Sequence, residues 1–186
     1  TDQIFKYYED YGNKNYIGEP VTQIEHMIQA AMLAEEDKKS NEIILAALFH
    51  DIGHLIEFDK ETKTEQMGDL GVKNHEKIGA DFLRKLNVPS PIPELVEGHV
   101  LAKRYLTYKY PDYHDKLSDA SKCTLKHQGG PMTKTEAENF EKDSLFDVYL
   151  KMRAYDDKAK FTDIEIKPLT YYKIMFITLM SNNLVV

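Results

Sequence analysis

Apolar positions recur at helical spacing along most of the chain, and the segments between them carry the residues that interrupt helices. Residues 4–11 read as a short aromatic amphipathic turn or helix that Gly12-Asn13 breaks. A loop at Tyr16-Ile17-Gly18-Glu19-Pro20 leads to a helix predicted to begin near Pro20, because proline suits a first turn. Val21, Ile24, Ile28, Ala31 and Met32 then recur on one stripe, with His26 at its edge. Residues 43–49 are an unbroken apolar run, so the helix that Asn41 is expected to cap is core on nearly every side and carries His50-Asp51-Ile52-Gly53-His54 with it.

After His54 the pattern becomes charged. Residues 57–72, containing Met67-Gly68-Asp69-Leu70-Gly71, are expected to form a surface excursion or lid. Asn74 is placed to cap a helix whose face carries His75, Gly79, Phe82, Leu83 and Leu86, and Asn87 with the prolines at 89, 91 and 93 stops it. The helix predicted over 94–108 sets His99 and Lys103 one turn apart beside Leu95, Ala102 and Leu106. A further helix over 118–127 ends at Gly129-Gly130-Pro131, and Thr133-Lys134-Thr135-Glu136 is a capping-box pattern opening a short acidic one. A long amphipathic helix over 145–159 carries Phe146, Tyr149, Leu150 and Arg153 on one face with Asp156 a turn on, and a last one over 169–180 packs Tyr172, Met175, Phe176 and Leu179. No repeat, low-complexity segment or strand pattern is present, which predicts an all-α fold, one domain over residues 1–186 with 1–15 as an N-terminal extension.

Composition narrows the function. The chain has 186 residues, 42% of them hydrophobic, enough for one proper core, and its net charge of -7 excludes a phosphate-tracking nucleic-acid groove. Its apolar runs are too short to cross a bilayer, so no membrane partner is expected. The one cysteine, Cys123, rules out an internal disulfide and suits a reducing compartment. No basic and apolar leader opens the chain, so a cytoplasmic location is expected, although the chain does not start with Met and its true beginning is open. Oligomeric state cannot be read from the residues.

Carboxylates and imidazoles are costly to bury unless they are paired or bind metal. Five of the seven histidines fall on four predicted helices near an apolar face, and one of them is followed directly by an aspartate. His114 and His127 sit in polar surroundings and are assigned to solvent. His50 and His54, four apart, could also grip one zinc as in the metalloprotease helix, but that motif needs glutamate after the first histidine and Asp51 stands there. His50 and Asp51 are therefore expected as ligands, and His54 just outside them.

His26, then His50-Asp51, then a late Asp156 resembles the HD-domain superfamily of metal-dependent phosphohydrolases, and the added His75 and His99 resemble its binuclear branch. Six blocks in order, Tyr16-Ile17-Gly18-Glu19, His50-Asp51-Ile52-Gly53-His54, Glu97-Gly98-His99 with Lys103-Arg104-Tyr105, Leu117-Ser118-Asp119-Ala120-Ser121, Gln128-Gly129-Gly130-Pro131-Met132 and Arg153-Ala154-Tyr155-Asp156, are similar to the mixed-valence diiron phosphonate oxygenases. The resemblance implies two iron ions (Fe2+/Fe3+), one held by His26, His50, Asp51 and Asp156, the other by Asp51, His75 and His99, with Asp51 shared. It implies that Tyr16 covers an open position on the first iron, that Glu19 meets the substrate's amine, and that His54, Lys103, Ser121, Thr124 and Arg153 surround a phosphonate. The implied partners are a small anionic organophosphonate and O2, with phosphate and an amino acid as products. An acidic protein needs such local cations for an anionic substrate, but taken alone Lys103 could as well snorkel to solvent, and Glu19 could be a plain first-turn carboxylate. Two other readings stand beside this one: a phosphohydrolase activating water with zinc, manganese or magnesium, and a degenerate domain used only for binding.

Overall fold

The apolar run becomes α3 (Asn41–Phe49), in which Ile44 to Phe49 are all buried, each large side chain contributing about 1.5–3 kcal/mol of transfer free energy. α2 (Gln23–Glu36), α6 (Ile92–Lys109), α10 (Phe146–Lys158) and α11 (Leu169–Asn183) pack around it. The structure, a computed structural model, describes residues 1–16, 18–58, 65–67 and 71–183, and among these it contains eleven helices and no strand. The others are α1 (Asp2–Tyr11), α4 (Ile52–Ile56), α5 (His75–Lys85), α7 (Pro111–Lys116), α8 (Asp119–His127) and α9 (Lys134–Phe140). The fold is all-α, as the periodicity predicts.

Several boundaries differ from expectation for local reasons. α2 starts at Gln23 instead of near Pro20, because Thr22 and Glu25 cap each other: the Glu25 N–H donates to the Thr22 hydroxyl (3.3 Å) and the Thr22 N–H donates to the Glu25 carboxylate (2.7 Å). Asn41 lies inside α3, and the extended Ser40 takes the cap position. α6 begins at Ile92 with Pro93 in its first turn, where the missing N–H costs nothing. Asn74 does stand at the start of α5, through a left-handed backbone (φ 58°) and not through its side chain.

The larger departure is at Asp51. The predicted continuous helix divides there into α3 and α4, with Asp51 at φ -106° and ψ 15°. Residues 1–15 do not hang free, since Ile4, Phe5 and Tyr8 are buried and the Tyr8 hydroxyl donates to the Leu48 carbonyl at 2.7 Å. Of the expected excursion, residues 59–64 and 68–70 lie outside the described residues, as does Ile17 of the first block. Met67 and Val72 are buried, and an isolated bridge pairs Gln66 with Val72. No helix among the described residues is long and apolar enough to cross a membrane.

Candidate metal centre

Six side chains from five parts of the fold meet at the Asp51 break: His26 from α2, His50 and Asp51 from the α3–α4 junction, His75 from the first turn of α5, His99 from α6 and Asp156 from α10. All six are buried. The Asp51 carboxylate faces two ways. Its Oδ2 lies 3.5 Å from His26 Nε2 and 3.4 Å from His50 Nε2, while Oδ1 lies 3.3 Å from His75 Nε2 and 3.6 Å from His99 Nε2. Asp156 Oδ1 closes the first half at 3.3 Å from His26 and 3.8 Å from His50.

Backbone carbonyls orient the rings. The Nδ1–H groups of His26, His50 and His99 donate to the carbonyls of Ala159 (2.9 Å), Ala47 (2.8 Å) and Val96 (2.6 Å), which leaves each Nε2 lone pair aimed into the cluster. His26 and His50 present these nitrogens 3.0 Å apart, and His75 and His99 theirs 3.2 Å apart. Acceptors that close repel unless a cation lies between them, so the donor set of four imidazoles and two carboxylates fits two divalent metal ions. With protons as the cations, burial pulls His50 down but the Asp51 charge and bonds to Asp156 and Asp51 outweigh it, lifting it to about 10. Burial pushes the Asp51 carboxyl up, yet the His50 charge and hydrogen bonds from the imidazoles hold it well below the usual range.

His54 is different. Asp51, His54 and His75 also bring donor atoms within 4.8 Å of one another, but the Val72 N–H donates to His54 Nδ1 at 3.3 Å. Burial and the neighbouring His75 push its pKa down to about 3, so the neutral ring carries its proton on Nε2, which donates. The ring stacks on His75, centroids 4.1 Å apart.

A cleft opens over the cluster, and Tyr16, Glu19, His54, Lys103, Ser121, Thr124 and Arg153 line it together with cluster atoms. The Tyr16 ring stacks on His26 at 4.0 Å, and burial with the Asp51 charge keeps its phenol protonated well above the ordinary range. Lys103, buried, donates to Thr124 Oγ1 at 3.0 Å, and burial with Arg153 brings it down to about 7. Arg153 spends all three nitrogens on the protein, donating to Asp156 (2.5 Å), to Asp157 and to the Tyr113 hydroxyl (2.8 Å). Glu19 is paired with Lys160. His127 is exposed and His114 about half so, both away from the cluster as expected.

Two lining residues were not anticipated. Among the described residues, Gln23 Oε1 and both amide atoms of Gln128 are buried without a hydrogen-bond partner while facing the pocket. Gln128 opens one of the six blocks, and Arg104 holds that loop by donating to the Gly130 carbonyl at 2.9 Å. Gln23 gives no sequence signal beyond its place beside the capping box.

A helical fold around buried histidines and aspartates defines a metal-site protein, and comparison with known proteins places it further. The HD domain family model matches residues 24–164. The chain belongs to the HD domain family. It is 48% identical over 183 residues to an uncharacterised protein of Acanthamoeba polyphaga mimivirus, covering 98% of this chain and 83% of that one. It is 43% identical over 154 residues to [1-hydroxy-2-(trimethylamino)ethyl]phosphonate dioxygenase (glycine-betaine-forming) of Leisingera caerulea, covering 83% of this chain and 76% of that one. It is 35% identical over 169 residues to hydroxymethylphosphonate dioxygenase of Gimesia maris, covering 91% and 82%. The resemblance drawn from the six blocks is borne out at this level: the protein is related to HD-domain phosphonate dioxygenases.

Proposed function

We propose that the protein is a diiron oxygenase that uses O2 to cleave the carbon–phosphorus bond of a 1-hydroxyphosphonate, of the 1-hydroxy-2-aminoethyl type. The observation that carries this reading is the Asp51 carboxylate, which offers one oxygen to each imidazole pair. His26, His50, Asp51 and Asp156 would hold one iron, and Asp51, His75 and His99 the other. When bound, the iron pair would supply coordination positions and a redox relay through which electrons from the substrate carbon reduce dioxygen. For the aminoethyl substrate the balance closes as substrate plus O2 giving glycine plus phosphate, with one oxygen atom joining the carbon and the other the phosphorus.

The remaining side chains bind and orient. His54 Nε2–H and Lys103 Nζ donate to the phosphonate oxygens, with Thr124 and Ser121 hydroxyls beside them. Arg153 acts through Asp156, holding that carboxylate toward His26, and is a positioning residue instead of a direct phosphonate contact. Tyr16 roofs the His26 half and keeps water from it until substrate arrives. Glu19 faces the substrate's cationic end.

The test is phosphate release from 1-hydroxy-2-aminoethylphosphonate by the ferrous-loaded protein, with and without O2, beside a paramagnetic-resonance search for an iron(II)/iron(III) pair. Release that requires O2, together with that signal, is expected. No release from the phosphonate, together with O2-independent release from a small phosphate ester in the presence of zinc or manganese, would overturn the reading in favour of a phosphohydrolase.

A further inference from the structure

Among the described residues, Glu19 is the only carboxylate lining the pocket besides Asp51 and Asp156, and those two face the imidazoles. It is therefore the one place on the wall where a positive charge on a bound molecule finds a partner. That carboxylate already has one. Lys160 Nζ pairs with Glu19 Oε1, the two side chains only 22% and 10% exposed.

The backbone on either side of Lys160 is tied down. The Ala159 carbonyl accepts from His26 Nδ1 at 2.9 Å, and Phe161 exchanges two hydrogen bonds with the Gln29 amide, each 2.9 Å. The other end is held too. The Glu19 N–H donates to the Tyr16 carbonyl (3.1 Å), the Tyr16 N–H donates to the Val21 carbonyl (3.0 Å), and Gly18 takes a left-handed φ of 77° against α8, where a Cβ would stand 2.7 Å from that of Ala120. The turn that presents Glu19 to Lys160 is the one that also lays Tyr16 over His26.

We propose that Lys160 determines which hydroxyphosphonates the pocket prefers: its ammonium sits on the carboxylate that a substrate's ammonium would use, so amine-bearing substrates compete with it and amine-free ones do not. This rests on the phosphonate reading above. A freed Glu19 favours the cationic substrate, and Lys160 holds that preference down.

The experiment compares kcat/KM for 1-hydroxy-2-aminoethylphosphonate with that for hydroxymethylphosphonate on the iron-loaded protein. The ratio of amine-bearing to amine-free rises about tenfold in Lys160→Met and stays at the wild-type value in Lys160→Arg, which keeps the pair. Adding Lys160→Met to Glu19→Gln leaves the ratio of Glu19→Gln unchanged, because no carboxylate remains to be freed. Calorimetric binding of 2-aminoethylphosphonate and ethylphosphonate reads the same preference without turnover. An unchanged or lowered preference in Lys160→Met overturns the proposal; if that variant does not fold, Lys160→Gln carries the same expectation. Wild-type protein that releases phosphate from neither compound overturns the functional reading instead, and calorimetry still decides Lys160.

Discussion

Lys103 carries a cost that the proposed phosphonate contact explains. An ammonium on the face of α6 that points into the core loses its hydration, and burial with the nearby Arg153 brings it from 10.5 down to about 7. Between those values the unfolded chain holds one more proton than the folded one, so this group's contribution to stability rises with pH across that window and its penalty is full below pH 7. Lys103→Met is accordingly expected to stabilise the protein at pH 6 by ~2 kcal/mol, roughly 5 °C in thermal denaturation, with the gain gone near pH 10. The same variant should lose about a hundredfold in kcat/KM, and wild-type kcat/KM should fall as pH rises past about 7, where the free enzyme loses that charge. A profile flat through pH 9 would remove Lys103 from phosphonate binding. The cluster histidines and Asp51 were legible jointly, because five histidines near apolar faces, one of them followed directly by aspartate, have few bland explanations together; Lys103 taken alone could as well snorkel to solvent, and its role and that of Asp156 came with the resemblance. Lys160 was not legible, since a lysine just past a helix end ordinarily serves the last carbonyls and its partner lies 141 positions away.

The helices themselves follow from periodicity, but the feature that makes the site does not. Periodicity alone carries α3 straight through His54, whereas a helix unbroken at Asp51 would hold that carboxylate in one fixed helical direction. Beside the break, α5 runs so close to α4 that a Cβ on Gly53 would stand 2.0 Å from the His75 carbonyl oxygen, a contact between residues whose nearness no local pattern encodes. The α2 cap is a different miss: Thr22-Gln23-Ile24-Glu25 is itself a capping-box pattern, and its reciprocal pair satisfies two orphan donors and so outcompetes Pro20. Gly53→Ala should therefore force α5 and its His75 away from Asp51. Bound metal is expected to fall from two ions to about one per chain while helix content persists, with a loss of ~2 kcal/mol from overpacking. Elemental analysis beside circular dichroism checks this, and full metal content in a folded Gly53→Ala protein would show that the second half of the centre does not depend on that contact.

Because the cluster joins α2, the α3–α4 junction, α5, α6 and α10, metal and fold stabilise each other. A ligand at a thousand times its dissociation constant stabilises by about 4 kcal/mol, which for a chain of this size is on the order of 10 °C, so chelation should lower the melting temperature by that amount and ferrous iron should restore it. The pH dependence separates this from a generic effect. Without metal, protons serve as the cations: His50 is held up to about 10 and His26 is also raised. Groups raised above their unfolded value of 6.5 give their full stability below it and lose it as pH climbs toward about 10. His99, pushed down by burial, works in the acidic window below 6.5 and leaves this one untouched. In the loaded protein the same nitrogens are ligands, and metal binding strengthens as competing protons leave. The gap in melting temperature between loaded and chelated protein should thus widen steadily from pH 7 to pH 9. A gap that stays constant or narrows would mean that the metal sits elsewhere than among these imidazoles, because an ordinary imidazole has lost its proton by pH 7, whereas His50 keeps its own toward about 10.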